Sequence, residues 1–329
     1  MFTGRADTLF IMHTIMPVFH IMKQQKNFSD SRFKRQNGDI IMKDKSKILV
    51  AGGDMRQVYC AVKLSSVSDT SVRGFSSDIL PEKMNIKISD NDDNSLYDFL
   101  VLPVPPLDEN GMITAPFTSE KINPAEIHSL LKPDAVIFAG KSDKRLKDIF
   151  EDKEIIDYME REELSLKNAV PTAEGAVEIA LNELPVTLNG IKVLIVGLGR
   201  IGTALAEILK GFGADITASV RNAKGTAKAR ILGIKSVCTN KMDTDYKLVF
   251  NTVPELIFDN ELLSRFSDET LFIDLASKPG GIDFDSASVL GKKVVWALGI
   301  PGKTAPVTSG EFIAETVINI LTERGVLNE

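Results

Sequence analysis

The chain has 329 residues, 43% hydrophobic and 26% charged, with a formal net charge of −6. That balance fits a globular protein with buried cores, and it argues against disorder and against a broad nucleic-acid-binding face. Three histidines (His13, His20, His128) and two cysteines (Cys60, Cys238) supply neither a His–Cys zinc set nor a His dyad, so no metal site is expected.

In chain order, residues 1–41 do not read like the rest. Their apolar stretch FIMHTIMPVFHIM is too short and too interrupted to span a bilayer. A non-core extension is expected, with a membrane-surface helix as the alternative and Met42 as a candidate start of the folded chain. The two cysteines are read as buried thiols rather than a disulfide, which points to a reducing, cytoplasmic setting.

From residue 42 the pattern alternates. A strand at 48–50 runs into Ala51-Gly52-Gly53, and Met55–Leu64 reads as a helix with Val58 and Val62 inward. Further strands are predicted at 70–73, 98–102, 134–139 and 154–158, and the alternation favours a parallel sheet covered by helices. His128, in PAEIHSLLKP, reads as a surface or packing residue. A connecting helix is predicted over 171–183, with Thr172 as its cap and Glu174 and Gly175 in its first turn.

The second block predicts strands at 191–196, 214–220, 247–251, 271–275 and 293–297, and helices at 200–211, 223–231 and 260–265. A last helix, about 307–322, is a candidate to return to the first block. The fold class is therefore α/β with two Rossmann-like domains, the C-terminal one a doubly wound parallel-sheet dinucleotide-binding domain. The expected organisation is an extension over 1–41, a substrate domain over 42–170, a dinucleotide-binding domain with its connecting helix over 171–306, and the last helix over 307–329.

The strongest local signal is IKVLIVGLGRIGTALAEILKG. Gly197, Gly199 and Gly202 follow an apolar strand with the GxGxxG spacing, and Leu198, Arg200 and Ile201 complete the loop. The first glycine allows the tight turn, the second leaves room for a pyrophosphate, and the third lets helix and strand approach. The next strand ends in Ser219-Val220-Arg221-Asn222, with no acidic residue to hold a ribose diol. Arg221 offers charge-assisted donors and Ser219 and Asn222 neutral ones, so NADP is expected over NAD. Asn251, Thr252, Val253 and Pro254 are expected to line the nicotinamide side, and Asp274 to face either the cofactor or its own backbone turn.

Several longer motifs surround these residues: VAGGDMRQ at 50–57, LPVPPLDENG at 102–111, VPTAEGAVEIA at 170–180, NTVP at 251–254, DLASKPGG at 274–281 and ALGIPGKTAPVTSG at 297–310. With VGLGRIG at 196–202 they resemble the dipicolinate synthase A-subunit family of spore-forming bacteria, over almost everything after residue 45. The resemblance implies formation of pyridine-2,6-dicarboxylate from dihydrodipicolinate, or from a closely connected precursor of the lysine pathway, in the mother-cell cytoplasm during sporulation. It also implies a partner, a separate flavoprotein-like B subunit; homo-oligomerisation suits the architecture. The family resembles two-domain D-2-hydroxyacid and alanine dehydrogenases. No histidine follows His128, however, which counts against simple 2-hydroxyacid oxidation.

A dicarboxylate substrate needs cations or directed donors. Arg56, Lys141, Lys278 and Lys303 lie near predicted strand ends or turns, and two of them are expected to clamp it. Asp54 or Glu174 is the expected proton acceptor, although Asp54 could instead hold Arg56. Thr172 with the amides of Ala173 and Glu174 is an alternative anion site. Lys303-Thr304 supports cofactor or carboxylate, since GxxxxGK(S/T) spacing for an ATP loop is missing. Two other readings stay open: a cofactor-binding scaffold for the flavoprotein-like partner, and an alanine-dehydrogenase-like amino-acid oxidoreductase.

Overall fold

Short apolar runs, each followed by a turn and a helix, build two parallel sheets in the computed structural model, which describes residues 46–81, 86–90 and 95–327. The expectations for residues 1–41 lie outside the described residues. In the first domain the elements are β1 (Lys47–Ala51), α1 (Met55–Leu64), β2 (Asp69–Arg73), β3 (Lys87–Ile88), β4 (Tyr97–Val101), α2 (Pro124–Ser129), β5 (Leu131–Ala139), α3 (Lys144–Ile149) and β6 (Glu154–Asp157). The strands lie in the order β3-β2-β1-β4-β5-β6, all parallel. Ile48, Leu49 and Val50 are all fully buried, because helices cover both faces of the sheet.

The long helix α4 (Glu162–Glu183) leads into the second domain. There follow β7 (Lys192–Val196), α5 (Arg200–Gly211), β8 (Asp215–Val220), α6 (Ala223–Ile231), β9 (Lys235–Cys238), β10 (Leu248–Asn251), α7 (Asn260–Ser264), β11 (Leu271–Asp274), α8 (Phe284–Val289) and β12 (Lys293–Trp296). The sheet order β12-β11-β10-β7-β8-β9 is the same doubly wound order read from the other edge. In both sheets the first strand sits mid-sheet, and the strand order reverses beside it. Ligands of such sheets bind at that switch point, outside the carboxyl ends of the strands.

After β12 come α9 (Ile300–Thr304) and α10 (Pro306–Glu323). Helix α10 crosses back to the first domain and lies on α1. A Cβ at Gly310 would stand 2.3 Å from the Arg56 carbonyl oxygen and 3.0 Å from the Cys60 nitrogen. Ile313, Ala314, Val317 and Leu321 thus share a core with Ile48, Val50, Val58 and Leu64.

Several sequence expectations need correction. Helix α4 begins at Glu162, not at residue 171, with Pro171 inside it. Its two halves are held by buried Leu164, Ala169, Ala173, Ala176 and Ala180, so packing outweighs the lost ladder donor of the proline. Thr172 is consequently mid-helix, where its hydroxyl donates to the Asn168 carbonyl at 2.7 Å; it caps nothing, and the amides behind it form no anion site. Cys60 is buried and burial pushes its thiol up, but Cys238 is exposed at the end of β9, against the expectation that both are buried.

Candidate functional site

The turn between β7 and α5 is built from the fingerprint glycines. Gly197 adopts φ +89°, a left-handed conformation that glycine enters without a Cβ clash. A Cβ at Gly202 would lie 2.0 Å from the Gly197 carbonyl oxygen, so only glycine lets α5 start this close to the strand. Gly199 is the N-cap of α5 and supplies no side-chain acceptor, which leaves the first amides of the helix available to an anion. The Thr252 hydroxyl donates to the carbonyls of Val196 at 2.8 Å and Gly197 at 3.2 Å, bracing the bend from β10. The turn fits a dinucleotide pyrophosphate.

The other expected cofactor residues divide. Arg221 is exposed at the end of β8 and pairs with Glu255 at 2.5 Å. Arg200, at the start of α5, pairs with Glu162 at 2.6 Å. Ser219 is buried and its hydroxyl donates to Thr239 Oγ1 at 3.0 Å. Asn222 caps α6, its Oδ1 accepting from Gly225 N at 3.0 Å, and is spent locally. Asn251 is buried, with Nδ2 donating to Val253 O at 2.9 Å and to Asp274 Oδ1 at 2.8 Å. Asp274 is also fully buried and accepts from the amides of Ala276 (3.0 Å) and Gly281 (2.8 Å). Of its two expected roles, it takes the backbone one. The Asn251–Asp274 pair thereby sets the shape of the loops after β10 and β11. Val253 lies against the glycine turn, since a Cβ on Gly197 would meet its Cγ2 at 2.8 Å, whereas Pro254 is exposed.

Across the chain, Asp54 caps α1, accepting from Arg56 N at 3.0 Å. The same carboxylate accepts from the Arg56 side chain, at 2.9 Å from Nε to Oδ1 and 2.9 Å from Nη2 to Oδ2. Burial opposes the guanidinium charge, but the hydrogen bond and charge of Asp54 more than offset it and hold the Arg56 pKa above its usual range. The pair abuts α9: a Cβ at Gly302 would stand 2.9 Å from both Arg56 Nε and Asp54 Oδ2. Lys303, the next residue, is exposed. On the other side α9 meets α4, where a Cβ at Gly175 would lie 2.4 Å from Thr304 Oγ1, and Thr304 donates to Glu178 Oε2 at 3.3 Å. Glu174 is exposed beside that contact. The Asp54–Arg56 pair thus abuts α9, the helix that carries Lys303, and α9 packs in turn on α4 at Gly175, the residue after Glu174.

Lys141 and Lys278 lie on other loops. Lys141 follows β5, two strands from β1 and so about 10 Å away in the sheet. Its φ of +58° is uncommon for a residue with a side chain, and its amide donates to Asp157 Oδ1 at 3.1 Å. Lys278 is exposed on the loop after β11. Two residues that the sequence does not single out take part here: Glu255, the partner of Arg221, and Lys228, whose Nζ donates to the Leu198 carbonyl of the glycine turn at 3.0 Å. No spacing rule marks either, because both come from other elements. His128 lies elsewhere, its Nε2 donating to the Asp152 carboxylate at 2.7 Å and its ring stacked on Phe150.

Comparison with known proteins agrees with this geometry. A family model for the N-terminal domain of the dipicolinate synthase A subunit matches residues 47–159, and one described as D-isomer specific 2-hydroxyacid dehydrogenase, NAD binding domain, matches residues 171–278. The dipicolinate synthase A subunit of Bacillus subtilis (strain 168) is 31% identical over 287 residues, covering 84% of this chain and 96% of its own length. The crystal structure of the dipicolinate synthase A subunit from Bacillus halodurans superposes with a TM-score of 0.78 at 28% identity, covering 85% of this chain and 99% of that one. That of its counterpart from Bacillus subtilis gives 0.76 at 29% identity, covering 86% and 97%. Two Rossmann-like domains, an open glycine turn and this likeness along most of both chains lead to one assignment: the chain belongs to the dipicolinate synthase A-subunit family.

Proposed function

We propose that this chain is an NADP-linked oxidoreductase subunit that oxidises dihydrodipicolinate, or a closely connected precursor of the lysine pathway, to pyridine-2,6-dicarboxylate. In this reading it works in the mother-cell cytoplasm during sporulation, together with a flavoprotein-like second subunit. The observation that carries the proposal is the uncapped helix start at Gly199, under a family likeness that spans both domains.

When bound, the nicotinamide supplies the hydride acceptor, and formation of the aromatic ring supplies a driving force. The chain's own residues have three tasks. The first is to hold the carboxylates: Arg56 is the leading candidate, because Nε and Nη2 serve Asp54 while Nη1 has no partner among the described residues. Lys303, exposed beside the same pair, is the second arm of the clamp. The next task is to accept the ring proton. Glu174 is the better placed of the two expected acceptors, since the Asp54 carboxylate already receives the Arg56 amide and guanidinium. The last is to fix the distance between the two domains, which α4 and α10 do by crossing from one to the other.

The test is a reconstituted assay with and without the second subunit, following pyridine dicarboxylate and NADPH together. The expected result is product and NADPH in equal amounts. Product without any nicotinamide signal, or turnover that tolerates a broken glycine turn, would favour the scaffold role.

A further inference from the structure

Asn251 and Asp274, buried at the ends of β10 and β11, pair with each other and with the backbone of their own loops. Gln57 does not. It is fully buried on the first turn of α1, and neither its Oε1 nor its Nε2 has a hydrogen-bond partner among the described residues. An unpaired buried carboxamide is a cost to the free protein that an apolar side chain of the same shape would avoid. It lies against the turn after β1, where a Cβ on Gly53 would meet Gln57 Oε1 at 2.7 Å and Cδ at 2.8 Å. Gly53 in turn donates its amide to the Thr114 carbonyl at 2.6 Å, and the Thr114 hydroxyl is a second buried group without a partner among the described residues. Asp54, the residue after Gly53, holds Arg56. The unpaired amide thus stands at the carboxyl end of β1, beside the point where the strand order reverses and one residue along α1 from Arg56.

A carboxamide offers a donor and an acceptor side by side and carries no charge. A guanidinium only donates, so Arg56 answers to negative charge and not to the identity of a ring atom. A ring nitrogen presents an N–H in a reduced ring and a lone pair in a pyridine. A carboxamide serves both states: Oε1 accepts from the N–H, and Nε2 donates to the bare nitrogen or to a carboxylate on the next carbon. We propose that Gln57 is a substrate-binding residue that reads the ring nitrogen, its ligand class being a six-membered nitrogen ring with a carboxylate on the carbon beside the nitrogen. Arg56 and Lys303 then carry the charge, and Gln57 sets which edge of the ring faces α1. The inference rests on the ring-dicarboxylate reading above and adds to it the group that tells nitrogen from carbon.

The experiment measures dissociation constants of pyridine-2,6-dicarboxylate and benzene-1,3-dicarboxylate by calorimetry, for the full chain, Q57M and Q57N with NADPH present. The two probes share shape and charge and differ only in the ring atom between the substituted carbons. The parent is expected to prefer the pyridine about fivefold, the scale of one net hydrogen bond. Q57M is expected to abolish that preference by weakening the pyridine alone, moving the benzene no more than about twofold. Its urea midpoint is expected to be no lower than the parent's, since the change removes an unpaired group. A fall in the midpoint together with weaker binding of both rings marks a packing role and overturns the proposal. Q57M that keeps the parent's preference overturns it as well. A parent that binds both rings equally overturns the role of Gln57 and leaves the dicarboxylate reading standing, whereas a parent that binds neither overturns both. If Q57M does not fold, Q57N decides by the same ratio, because it keeps the amide but withdraws it by one methylene: a lost preference supports the proposal and a retained one overturns it.

Discussion

The turn after β1 and the turn after β7 hold the same place in two sheets of the same strand order. Position for position, Gly52 stands where Gly197 does, Asp54 where Gly199 does and Gln57 where Gly202 does. In the second domain the helix start is bare, with no side-chain cap on its first amides. In the first, a carboxylate of the chain itself occupies the N-terminus of α1, and Arg56 clamps that carboxylate in place. Gln57 fills the space that the third glycine leaves open, lying against Gly53, where a Cβ would meet its Oε1 at 2.7 Å. One topology therefore yields a bare helix start in one domain and a start capped by the chain's own carboxylate in the other, where the buried Gln57 amide has no hydrogen-bond partner among the described residues, and side chains at two positions make the difference. A Rossmann-like sheet is a place where a dinucleotide can bind; the residues of the turn decide whether one does.

The sharpest way to break this contrast is Gly202→Val. The new Cβ would collide with the Gly197 carbonyl, and displacing the bend by about an ångström should weaken dinucleotide binding about a hundredfold, read by titration with NADPH. The matching change in the other turn, Asp54→Ala, removes a cap and frees Arg56. It should cost about 2 kcal/mol of stability in chemical denaturation and leave dinucleotide affinity as it was. A smaller effect is expected for Thr252→Val, which removes the brace under the bend: about 1 kcal/mol of stability, with a measurable loss of dinucleotide affinity.

The smallest effect belongs to a site remote from both turns, which serves as their control. The hydrogen bonds from His128 and then Lys153 hold the Asp152 carboxyl down at about 2. A carboxyl whose folded pKa lies below its unfolded value contributes stability above the ordinary aspartate range, and that contribution disappears as pH falls through the folded value. The parent and Asp152→Asn should therefore differ in thermal stability near neutral pH and converge as the pH approaches 2, while nucleotide binding by the two stays equal.

The glycine bend is legible in the sequence because strand, glycine spacing and amphipathic helix all state the same thing over about twelve residues. Helix α4 is only half legible. Pro171 looks like the first residue of a helix by local rules, and only the tertiary packing of Leu164 and Ala169 reveals that the helix has already run for more than two turns. Strands β3 and β9 are short edge strands at the equivalent rim of the two sheets, and they carry too few apolar residues for an alternating or continuous pattern. Ser219 and Asn222 are expected at the cofactor because they sit on the right strand end, but a hydroxyl and an amide take whichever partner is nearest. Thr239 and Gly225 are nearest, and neither is predictable from the strand. Lys228 escapes notice for the complementary reason: it is distant from the fingerprint in sequence, and only the packing of α6 brings it to Leu198.

The crossing of α10 has a consequence for how the protein is made. Val317, Leu321 and Leu327 complete the hydrophobic interior around β1 and α1, yet they are translated only after the entire nucleotide-binding half. The amino-terminal half thus emerges from the ribosome with its interior unsealed on the α1 side and waits for a distant stretch of chain to close it. The second half has its interior built from α4 through α9, all made before α10. Closure of the first domain's interior therefore requires the last helix to be synthesised, although domains are generally made and folded from the amino terminus onward.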